Sequence, residues 1–363
     1  MGRQSCALEN MELMASKWAG KRVFLTGHTG FKGGWLAVML NRLGAEVHGF
    51  ALDPSTTPNL FETADIATLC QSSTIADIRD ARALAAAVAA AKPDLVIHMA
   101  AQALVGTGYD DPVGTYATNV MGTIHLYEAI RALDRPIPVV NVTSDKCYEN
   151  REWLWAYREN EPMGGYDPYS NSKGCAELVT SAYRSSYFTK SGVRLASARA
   201  GNVIGGGDWS EARLVPDLLR SFDAGTELVL RAPGAVRPWQ HVLEPLSGYL
   251  LLAEHLMASD DACEGWNFGP AEADVRTVGW VVATLLGHLG ADINTRTTPE
   301  SYHEATLLKL DSSQARARLG WQPQWTVDRA LRETANWHLA FGQGALMLDI
   351  CRQQVETYLT GAD

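Results

Sequence analysis

The feature that most constrains the fold of this chain is the alternation of short apolar segments with segments of helical periodicity from residue 21 onward. Short apolar runs are typical of buried strands, and parallel strands need helical crossovers because the chain must return to the same end of the sheet. We therefore predict an α/β fold of the Rossmann type, a doubly wound parallel sheet with helices on both faces. The predicted strands are Arg22–Thr26, Glu46–Phe50, Asp94–Met99, Ile137–Val142 and Arg194–Ala198, and the predicted helices are Trp35–Leu43, Ala81–Ala91, Thr115–Leu133 and Ser170–Ser191.

Beyond residue 200 this alternation weakens. Glycine- and proline-rich stretches separate short strand candidates such as Glu227–Leu230 and Trp266–Phe268, which is typical of a smaller and less regular α/β lobe. We divide the chain into a loose N-terminal extension at 1–20, a Rossmann domain at 21–200 and a C-terminal lobe at 201–363. Some segments of that lobe are expected to return to the main sheet.

Charge and cysteine content exclude several classes of protein. The net charge of -10 argues against a nucleic-acid-binding surface, because phosphate backbones are held mainly by clustered Lys and Arg. The 6 cysteines lie far apart, so neither a disulfide framework nor a metal site is predicted. The chain shows no secretory signal pattern and no apolar run long enough to cross a bilayer, and we expect a cytoplasmic protein without a membrane partner.

The segment VFLTGHTGFKGGWLAVML contains three glycines between the first predicted strand and helix. In dinucleotide-binding loops the first glycine permits a tight turn, the second lets a pyrophosphate approach the backbone, and the third lets helix and strand pack closely. Because this triplet lies between a strand and a helix, we favour cofactor binding over a flexible turn. The candidates are Gly27, Thr29, Gly30, Phe31, Lys32 and Gly33.

Other segments bear on which cofactor this is. Asp53 follows the second strand, where a carboxylate binds the ribose hydroxyls of NAD, and no Arg follows closely to bind the 2′-phosphate of NADP. We therefore predict NAD. Asp77 and Ile78 either flank the adenine or form a turn and helix cap. Small residues after the third strand, Ala100, Ala101 and Gln102, would let the cofactor pass over the sheet edge.

Two residues four apart form the predicted catalytic pair. Tyr169 and Lys173 lie at the start of a helix in YDPYSNSKGCAEL, so their side chains share one face. An ammonium beside a phenol favours the phenolate, and we expect Lys173 to lower the pKa of Tyr169 so that it can act as a base. An ordinary helix pair is the alternative, but the preceding dinucleotide loop favours catalysis.

The fourth strand ends in the polar residues Thr143, Ser144, Asp145 and Lys146. The carboxyl ends of parallel strands are where active sites of open α/β sheets lie. Ser144 could bind the reacting oxygen, and Asp145 and Lys146 form an acid–base pair. A solvated loop with an N-cap is the alternative, and the nearby Tyr169 favours a chemical role.

Seven stretches extend these motifs: GHTGFKGGWL, AAQALV, TYATNVMGT, TSDKCYEN, GGYDPYSNSK, RAGNVIGGGDW and RPWQHV. In order and spacing they resemble the extended short-chain dehydrogenase/reductases, and within them the CDP-glucose 4,6-dehydratases. The glycine loop and the Tyr-Lys pair identify only the superfamily, whereas TSDKCYEN is more discriminating. The related dTDP-glucose dehydratases carry Thr, Asp and Glu where this chain has Ser144, Asp145 and Lys146.

The resemblance implies an NAD-dependent hydro-lyase that acts on CDP-glucose in deoxysugar biosynthesis for lipopolysaccharide O-antigen. In the implied cycle, Tyr169 takes the proton of the hydroxyl on carbon 4 as hydride passes to NAD. Lys146 then helps to remove the proton of carbon 5, and Asp145 protonates the departing hydroxyl of carbon 6. Hydride returns to carbon 6, so NAD is recycled.

The resemblance also implies contacts to the substrate. It places Asn119 near the active site, with a bracing amide as the alternative, and Asn202, Arg237 and His241 around the nucleotide diphosphate. One departure affects this prediction: the relatives carry an Arg and a Ser soon after AAQ, where this chain has Gly106, Thr107 and Gly108.

Two other functions remain open at this level. A 4-epimerase of the same family would oxidise carbon 4 without needing Asp145 and Lys146, and a dinucleotide-sensing regulator would not need the Tyr169–Lys173 pair. Apolar residues on the outer faces of Thr115–Leu133 and Ser170–Ser191 predict a homodimer built on a four-helix bundle, or a higher oligomer that contains it.

Overall fold

The computed structural model describes residues 15–298 and 307–362. Its centre is a sheet of seven parallel strands in the order β11-β6-β5-β4-β1-β2-β3. The order reverses between β1 and β4, and this reversal leaves a crevice at the carboxyl ends of the two strands where such sheets bind ligands. The strands are β1 Arg22–Thr26, β2 Glu46–Ala51, β3 Cys70–Ile75, β4 Leu95–His98, β5 Pro138–Val142, β6 Arg194–Ala200, β7 Val203–Ile204, β8 Leu228–Leu230, β9 Val236–Pro238, β10 Gln240–His241, β11 Gly265–Phe268, β12 Val275–Thr277 and β13 Thr295–Thr297.

Helices cover both faces of this sheet. Phe31–Arg42 and Leu243–Ala258 bury Trp35, Leu36 and Leu250 in one apolar core. Ala81–Ala91 and Gly122–Arg131 bury other apolar side chains in a second core. The remaining α-helices are Leu60–Thr63, Val105–Asp110, Pro112–Tyr116, Pro168–Tyr183, Thr189–Ser191, Leu214–Ala224, Val278–Leu289, Val327–Gly342 and Met347–Thr360.

The predicted doubly wound sheet is confirmed, and most predicted bounds differ from the observed ones by a few residues. The strand of the main sheet that sequence reasoning missed is β3, whose residues CQSSTI are mostly polar and partly exposed, and the short strands β7, β9, β10, β12 and β13 outside that sheet were not predicted either. β3 forms the edge of the sheet and pairs with β2 alone, so it needs no apolar run. Each of the two long predicted helices contains a π-helical segment, at Ala117–Met121 and Arg184–Phe188.

Residues beyond 200 contribute to two parts of the molecule. β11 pairs with β6 at the other edge of the main sheet, and Leu243–Ala258 packs against that sheet. A separate apolar core includes Leu218, Leu285 and Leu331, beside three small two-stranded sheets. The C-terminal half is therefore partly built into the Rossmann sheet.

The end of the expected N-terminal extension is part of the folded body. Trp18 is fully buried, and its Nε1 donates a hydrogen bond to Glu254 Oε1 over 2.8 Å. Lys17 lies 2.7 Å from the same carboxylate. The expectation of a loose segment is thus wrong for residues 15–20, because the Trp18 indole is buried there and its N–H is hydrogen-bonded. Residues 1–14 lie outside the described residues. None of the helices formed by the described residues has the length and apolar character to cross a membrane.

Candidate active site

The glycine loop connects β1 to Phe31–Arg42 at the carboxyl edge of the sheet. Gly27 has a φ of +80°, and a β-carbon there would lie 2.8 Å from the backbone nitrogen of Ala100. At Gly33 a β-carbon would lie 2.0 Å from the carbonyl oxygen of Gly27. Gly30 is the N-cap and provides no capping side chain, which leaves the first N–H groups of the helix available to an anion.

The neighbouring candidates lie around this loop. Thr29 Oγ1 donates to the carbonyl oxygen of Leu52 over 2.8 Å, which holds the segment after β2 beside the loop. Asp53, in that segment, is exposed. Phe31 contacts the position of Gly205. Lys32 faces the catalytic residues: burial lowers the pKa of its ammonium to about 8, and the charge of Asp145 opposes that shift.

Two further cofactor candidates, Asp77 and Ile78, lie between β3 and the helix Ala81–Ala91. Asp77 pairs with Arg79 over 2.5 Å, and this pairing holds the pKa of the Asp77 carboxyl below its usual value. Ile78 is buried, and a β-carbon at Gly122 would lie 2.7 Å from its side chain. Contacts of Asp77 and Ile78 to a cofactor stay predictions.

The segment after β4 is fixed by an amide network. The Asn119 side chain accepts a hydrogen bond from the Gln102 backbone N–H over 2.9 Å and donates to the Gln102 carbonyl and to Ser172 Oγ. Gln102 also donates to Thr115 over 2.8 Å. Asn119 is 3% exposed, and its contact with the substrate stays a prediction. Its hydrogen bonds fit the alternative of a bracing amide, because they join Gln102 to Ser172 on the helix that carries Tyr169.

The catalytic helix, Pro168–Tyr183, begins at a well-defined cap. Asp167 Oδ1 accepts the N–H of Ser170 over 3.0 Å, and Pro168 occupies the first helical position, where its missing N–H has no cost. Tyr169 and Lys173 follow on one face and are both buried. The structure therefore places the predicted pair together at the start of a helix.

The protonation of this pair differs from the expectation. Burial raises the pKa of Tyr169 to about 12, against the opposing effects of a hydrogen bond with Ser144 and the charge of Arg213. Burial also lowers the pKa of Lys173 to about 8, against the opposing effects of Cys147 and Glu177. The net pKa of Tyr169 is raised because desolvation of the phenolate outweighs the nearby cations, and the contribution of Lys173 stays a prediction.

Ser144, Asp145 and Lys146 follow the carboxyl end of β5, and Ser144 and Asp145 lie near Tyr169. Asp145 Oδ1 accepts a hydrogen bond from Ser144 Oγ over 3.0 Å, while its Oδ2 is buried without a partner among the described residues. Burial raises the pKa of Asp145, although the cations Lys146, Lys32 and Arg237 oppose the shift. A carboxyl with a raised pKa and a free oxygen can donate a proton.

The three residues after position 200 that are predicted to contact the nucleotide lie in two different environments. Arg237 is buried close enough to Asp145 to affect its pKa, and Asn202 is half-buried just after β6. His241 is fully buried between Trp35 and Trp325, with ring centroids at 6.0 and 4.8 Å. Burial lowers the pKa of His241 to about 3. The neutral ring of His241 is enclosed by the core, and its contact with the substrate stays a prediction.

The departure after AAQ brings a backbone close to the catalytic helix. A β-carbon at Gly108 would lie 3.0 Å from the backbone nitrogen of Tyr169 and 3.1 Å from its Cβ. Arg213, which the sequence did not single out, reaches the same segment: its Nη2 lies 3.4 Å from the carbonyl oxygen of Ala103. It also lies 3.5 Å from Asp208. A cation from the C-terminal half is thus present beside Tyr169.

Sequence reasoning also missed a buried ion pair next to this site. Glu177 and Arg199 are 2.7 Å apart, and both are nearly fully buried. They line a cavity of about 630 Å³ whose walls include neither Tyr169 nor Lys173. The helical period could have indicated Glu177, which lies four residues after Lys173, but its partner on β6 is set by the tertiary fold. Within the described ranges, no cluster of three or more His, Cys, Asp or Glu side chains could hold a metal ion.

Comparisons with known proteins agree with this geometry. The family model for GDP-mannose 4,6 dehydratase matches residues 24–334. The CDP-glucose 4,6-dehydratase of Salmonella typhimurium is 51% identical over 350 residues, which cover 94% of this chain and 97% of that protein. The dTDP-glucose 4,6-dehydratase of Mycolicibacterium smegmatis is 28% identical over 88% of this chain and 93% of its own length.

Solved structures share the fold. DesIV, a dTDP-glucose 4,6-dehydratase from Streptomyces venezuelae with NAD and TYD bound, is 26% identical, with a TM-score of 0.77 over 90% of this chain and 99% of its own. The UDP-glucose 4-epimerase of Thermotoga maritima is 21% identical, with a TM-score of 0.75 over 88% and 99% of the two chains, and shows the fold alone. The chain therefore belongs to the GDP-mannose 4,6 dehydratase family of the extended short-chain dehydrogenase/reductases, as its motifs predict.

Proposed function

We propose that the protein is an NAD-dependent CDP-glucose 4,6-dehydratase that forms CDP-4-keto-6-deoxyglucose. The relative that is 51% identical carries that name. The observation that carries the proposal is the meeting of Tyr169, Ser144 and Asp145, in which a buried carboxyl with a raised pKa lies beside a buried phenol. A dehydratase needs both a base for oxidation and an acid for elimination.

The glycine loop fits a dinucleotide. Gly27 and Gly33 leave no space for β-carbons of their own, and Gly30 caps the helix without a side chain, so a diphosphate could approach the backbone N–H groups. Gly27, Thr29, Gly30 and Gly33 would hold the diphosphate, and Asp53 would bind a ribose. NAD, when bound, supplies an acceptor for the hydride of carbon 4 and returns that hydride to carbon 6.

Tyr169 is the base for the first proton. Its phenolate would accept the proton of the hydroxyl on carbon 4 and become the phenol, while Ser144 donates a hydrogen bond to the same oxygen. Lys173, buried one helical turn away, stabilises the phenolate through its positive charge. The residues of the protein therefore hold the proton that must leave when carbon 4 is oxidised.

Asp145 and Lys146 carry out the elimination. Lys146, as the neutral amine, would help to remove the proton of carbon 5, which is acidic next to a carbonyl, and Asp145 would give a proton to the hydroxyl leaving carbon 6. The proton from Asp145 and the hydroxyl leave as one water, and carbon 5 would regain a proton from Lys146 when the hydride returns to carbon 6. The raised pKa of Asp145 supports its assignment as the acid.

The C-terminal lobe is proposed to bind most of the nucleotide sugar. Arg237 and Asn202 lie beside Asp145 and β6, and a planar guanidinium suits a diphosphate because it can donate two parallel hydrogen bonds. On this division, residues 21–200 hold NAD and the catalytic groups, and residues 201–363 hold mainly the substrate. Arg213 is an additional candidate because it lies next to Tyr169.

Incubation with CDP-glucose and NAD, followed by mass spectrometry, tests this function. A product lighter than the substrate by one water, without net formation of NADH, is the expected result. A new sugar of unchanged mass would indicate a 4-epimerase instead. No conversion of any sugar nucleotide would indicate a dinucleotide-sensing protein and would refute the proposal.

We further propose a homodimer located in the cytoplasm that takes part in deoxysugar synthesis for O-antigen. Four exposed apolar side chains lie in the continuous helical runs 112–131 and 168–191: Val113, Met121, Leu178 and Tyr187. A four-helix bundle between two copies would cover such faces. Light scattering coupled to size exclusion should give twice the chain mass, and a monomer would refute the dimer.

A further inference from the structure

One face of the catalytic helix continues beyond the Tyr169–Lys173 pair. Glu177 follows Lys173 by four residues, so the three side chains stand one above another along the same face. Glu177 is 3% exposed. A fully buried carboxylate needs partners for its charge, and the partners of Glu177 come from two strands of the main sheet.

The Glu177 carboxylate accepts three hydrogen bonds. Thr143 Oγ1, at the end of β5, donates to Oε1 over 2.5 Å. Ser197 Oγ and Arg199 Nη2, both on β6, donate to Oε2 over 2.7 Å each. Since Thr143 directly precedes Ser144 in the chain, Glu177 connects the catalytic helix to the segment that carries the proposed acid.

Arg199 extends this connection to the next segments. Its Nη1 donates to Tyr148 Oη over 2.8 Å and to the carbonyl oxygen of Glu159 over 3.0 Å. Tyr148 Oη in turn donates to Asn267 on β11 over 2.7 Å. The bonds among Glu177, Arg199, Tyr148 and Asn267 are buried, and buried hydrogen bonds to charged groups hold their geometry firmly.

We propose that Glu177 is a positioning residue, which fixes the catalytic helix against the ends of β5 and β6 and keeps the buried Lys173 ammonium charged. This inference rests on the proposed function of Tyr169 and Lys173. Glu177 itself lies among protein groups and is not expected to touch the substrate. Its role acts through Lys173 and through the position of Ser144.

The charge balance around Lys173 supports this role. Burial lowers the pKa of Lys173 to about 8, and the groups that oppose this shift are Cys147 and Glu177. Cys147 is a buried thiol whose pKa is raised well above its usual value, so it is neutral near pH 7. Glu177 stays ionised because Arg199, Thr143 and Ser197 hold its pKa below the usual value against burial. The other groups facing Lys173 are His98 on β4 and Lys32 in the glycine-loop helix.

Glu177→Gln tests the proposal because it keeps the shape of the side chain and removes the charge. We expect kcat to fall at least about tenfold near pH 8 with little change in KM, and the alkaline limb of the kcat profile to move to lower pH by about one unit. Ser197→Ala is the matched control, since it removes a hydrogen bond to Glu177 and leaves the charge. Its alkaline limb should stay where it is in the unaltered protein, and Glu177→Asp should restore the limb.

Two further measurements keep the proposal falsifiable. If Glu177→Gln fails to fold because Arg199 is left unpaired, Glu177→Gln/Arg199→Gln removes both charges, and we expect the limb to move in the same direction but less far, because the positive charge of Arg199 opposes that of Glu177 at Lys173. An NMR titration of the Lys173 Nζ resonance measures the same change in the pKa of Lys173 without turnover. The resonance is assigned by its loss in Lys173→Arg. An unmoved Nζ titration in a folded Glu177 variant overturns this inference, whereas absence of dehydration in the unaltered protein overturns the proposed function alone.

Discussion

Replacement of Tyr169 by Phe separates the phenol's chemistry from its packing. The ring is 7% exposed and would keep its place. Ser144 would lose the phenol but keep its hydrogen bond to Asp145, which spans 3.0 Å. We therefore expect a change in the free energy of unfolding of no more than about 1 kcal/mol.

The effect on turnover should be far larger. Since the pKa of Tyr169 is about 12, ionising its phenol near pH 7 costs roughly 7 kcal/mol, at about 1.4 kcal/mol for each pH unit. Substrate and cofactor must supply that energy in the unaltered protein, and in Tyr169→Phe no group at this position can hold the proton. A positioned base contributes about 10² to 10⁴ in rate, and we expect a loss of about 10³ in kcat.

The assay is formation of the dehydrated sugar nucleotide, followed by mass spectrometry at several pH values. Tyr183→Phe is the matched control: it lies on the same helix, and its hydroxyl donates to the exposed Glu128 over 2.7 Å. That variant should turn over at a rate close to the unaltered protein. If Tyr169→Phe retained turnover within tenfold, the assignment of Tyr169 as the base would be refuted.

Three further perturbations test other parts of the site and the fold. Gly33→Ala should weaken NAD binding at least about tenfold in a fluorescence titration, because its β-carbon would lie 2.0 Å from the Gly27 carbonyl. Gly34→Ala, whose β-carbon meets the side chains of Leu60 and Ile66 rather than backbone, is the control, and equal affinities would contradict the prediction. Asp145→Asn cannot donate a proton and should lower formation of the dehydrated product by about 10² or more; turnover equal to that of the unaltered protein would exclude Asp145 as the acid. Burial raises the pKa of Glu244 to about 7, so the folded state binds this proton more tightly than the unfolded state. The corresponding contribution to the free energy of unfolding is fully present below about pH 4.5 and is lost as the pH rises through 7. Glu244→Gln should remove roughly 3 kcal/mol of that pH dependence between pH 5 and 8, measured by denaturant unfolding, and an unchanged slope would show that another group is responsible.

Much of the fold and the central pair could be predicted from local patterns. The bounds of β1 and of Ala81–Ala91 agree with the prediction residue by residue, because an apolar strand and an alanine-rich helix with an Asp cap are specified by their own residues. Tyr169 and Lys173 could be placed together for the same reason, since four residues along a helix return to one face. The glycine loop likewise carries its requirement for small residues in its spacing.

Other roles depended on what the chain brings close in space. His241 and Asn119 stand in motifs that suggested ligand contacts, yet one is enclosed by two tryptophans and the other uses its amide to brace Gln102. Nothing in the local sequence reveals these partners. Arg213, far along the chain, contacts the carbonyl oxygen of Ala103 and lies near enough to Tyr169 for its charge to affect the phenol, a placement that no spacing rule could anticipate.

Protonation was decided entirely by tertiary structure. The sequence by itself determined that a lysine would stand beside a tyrosine, and that a carboxyl would follow β5. Only the packed structure determined how deeply each is buried, and burial raises the pKa of Tyr169 and Asp145 and lowers that of Lys173. The physical reason is that removing a charge from water depends on every element around it, whereas the position of a residue on its helix or strand depends only on near neighbours in the chain.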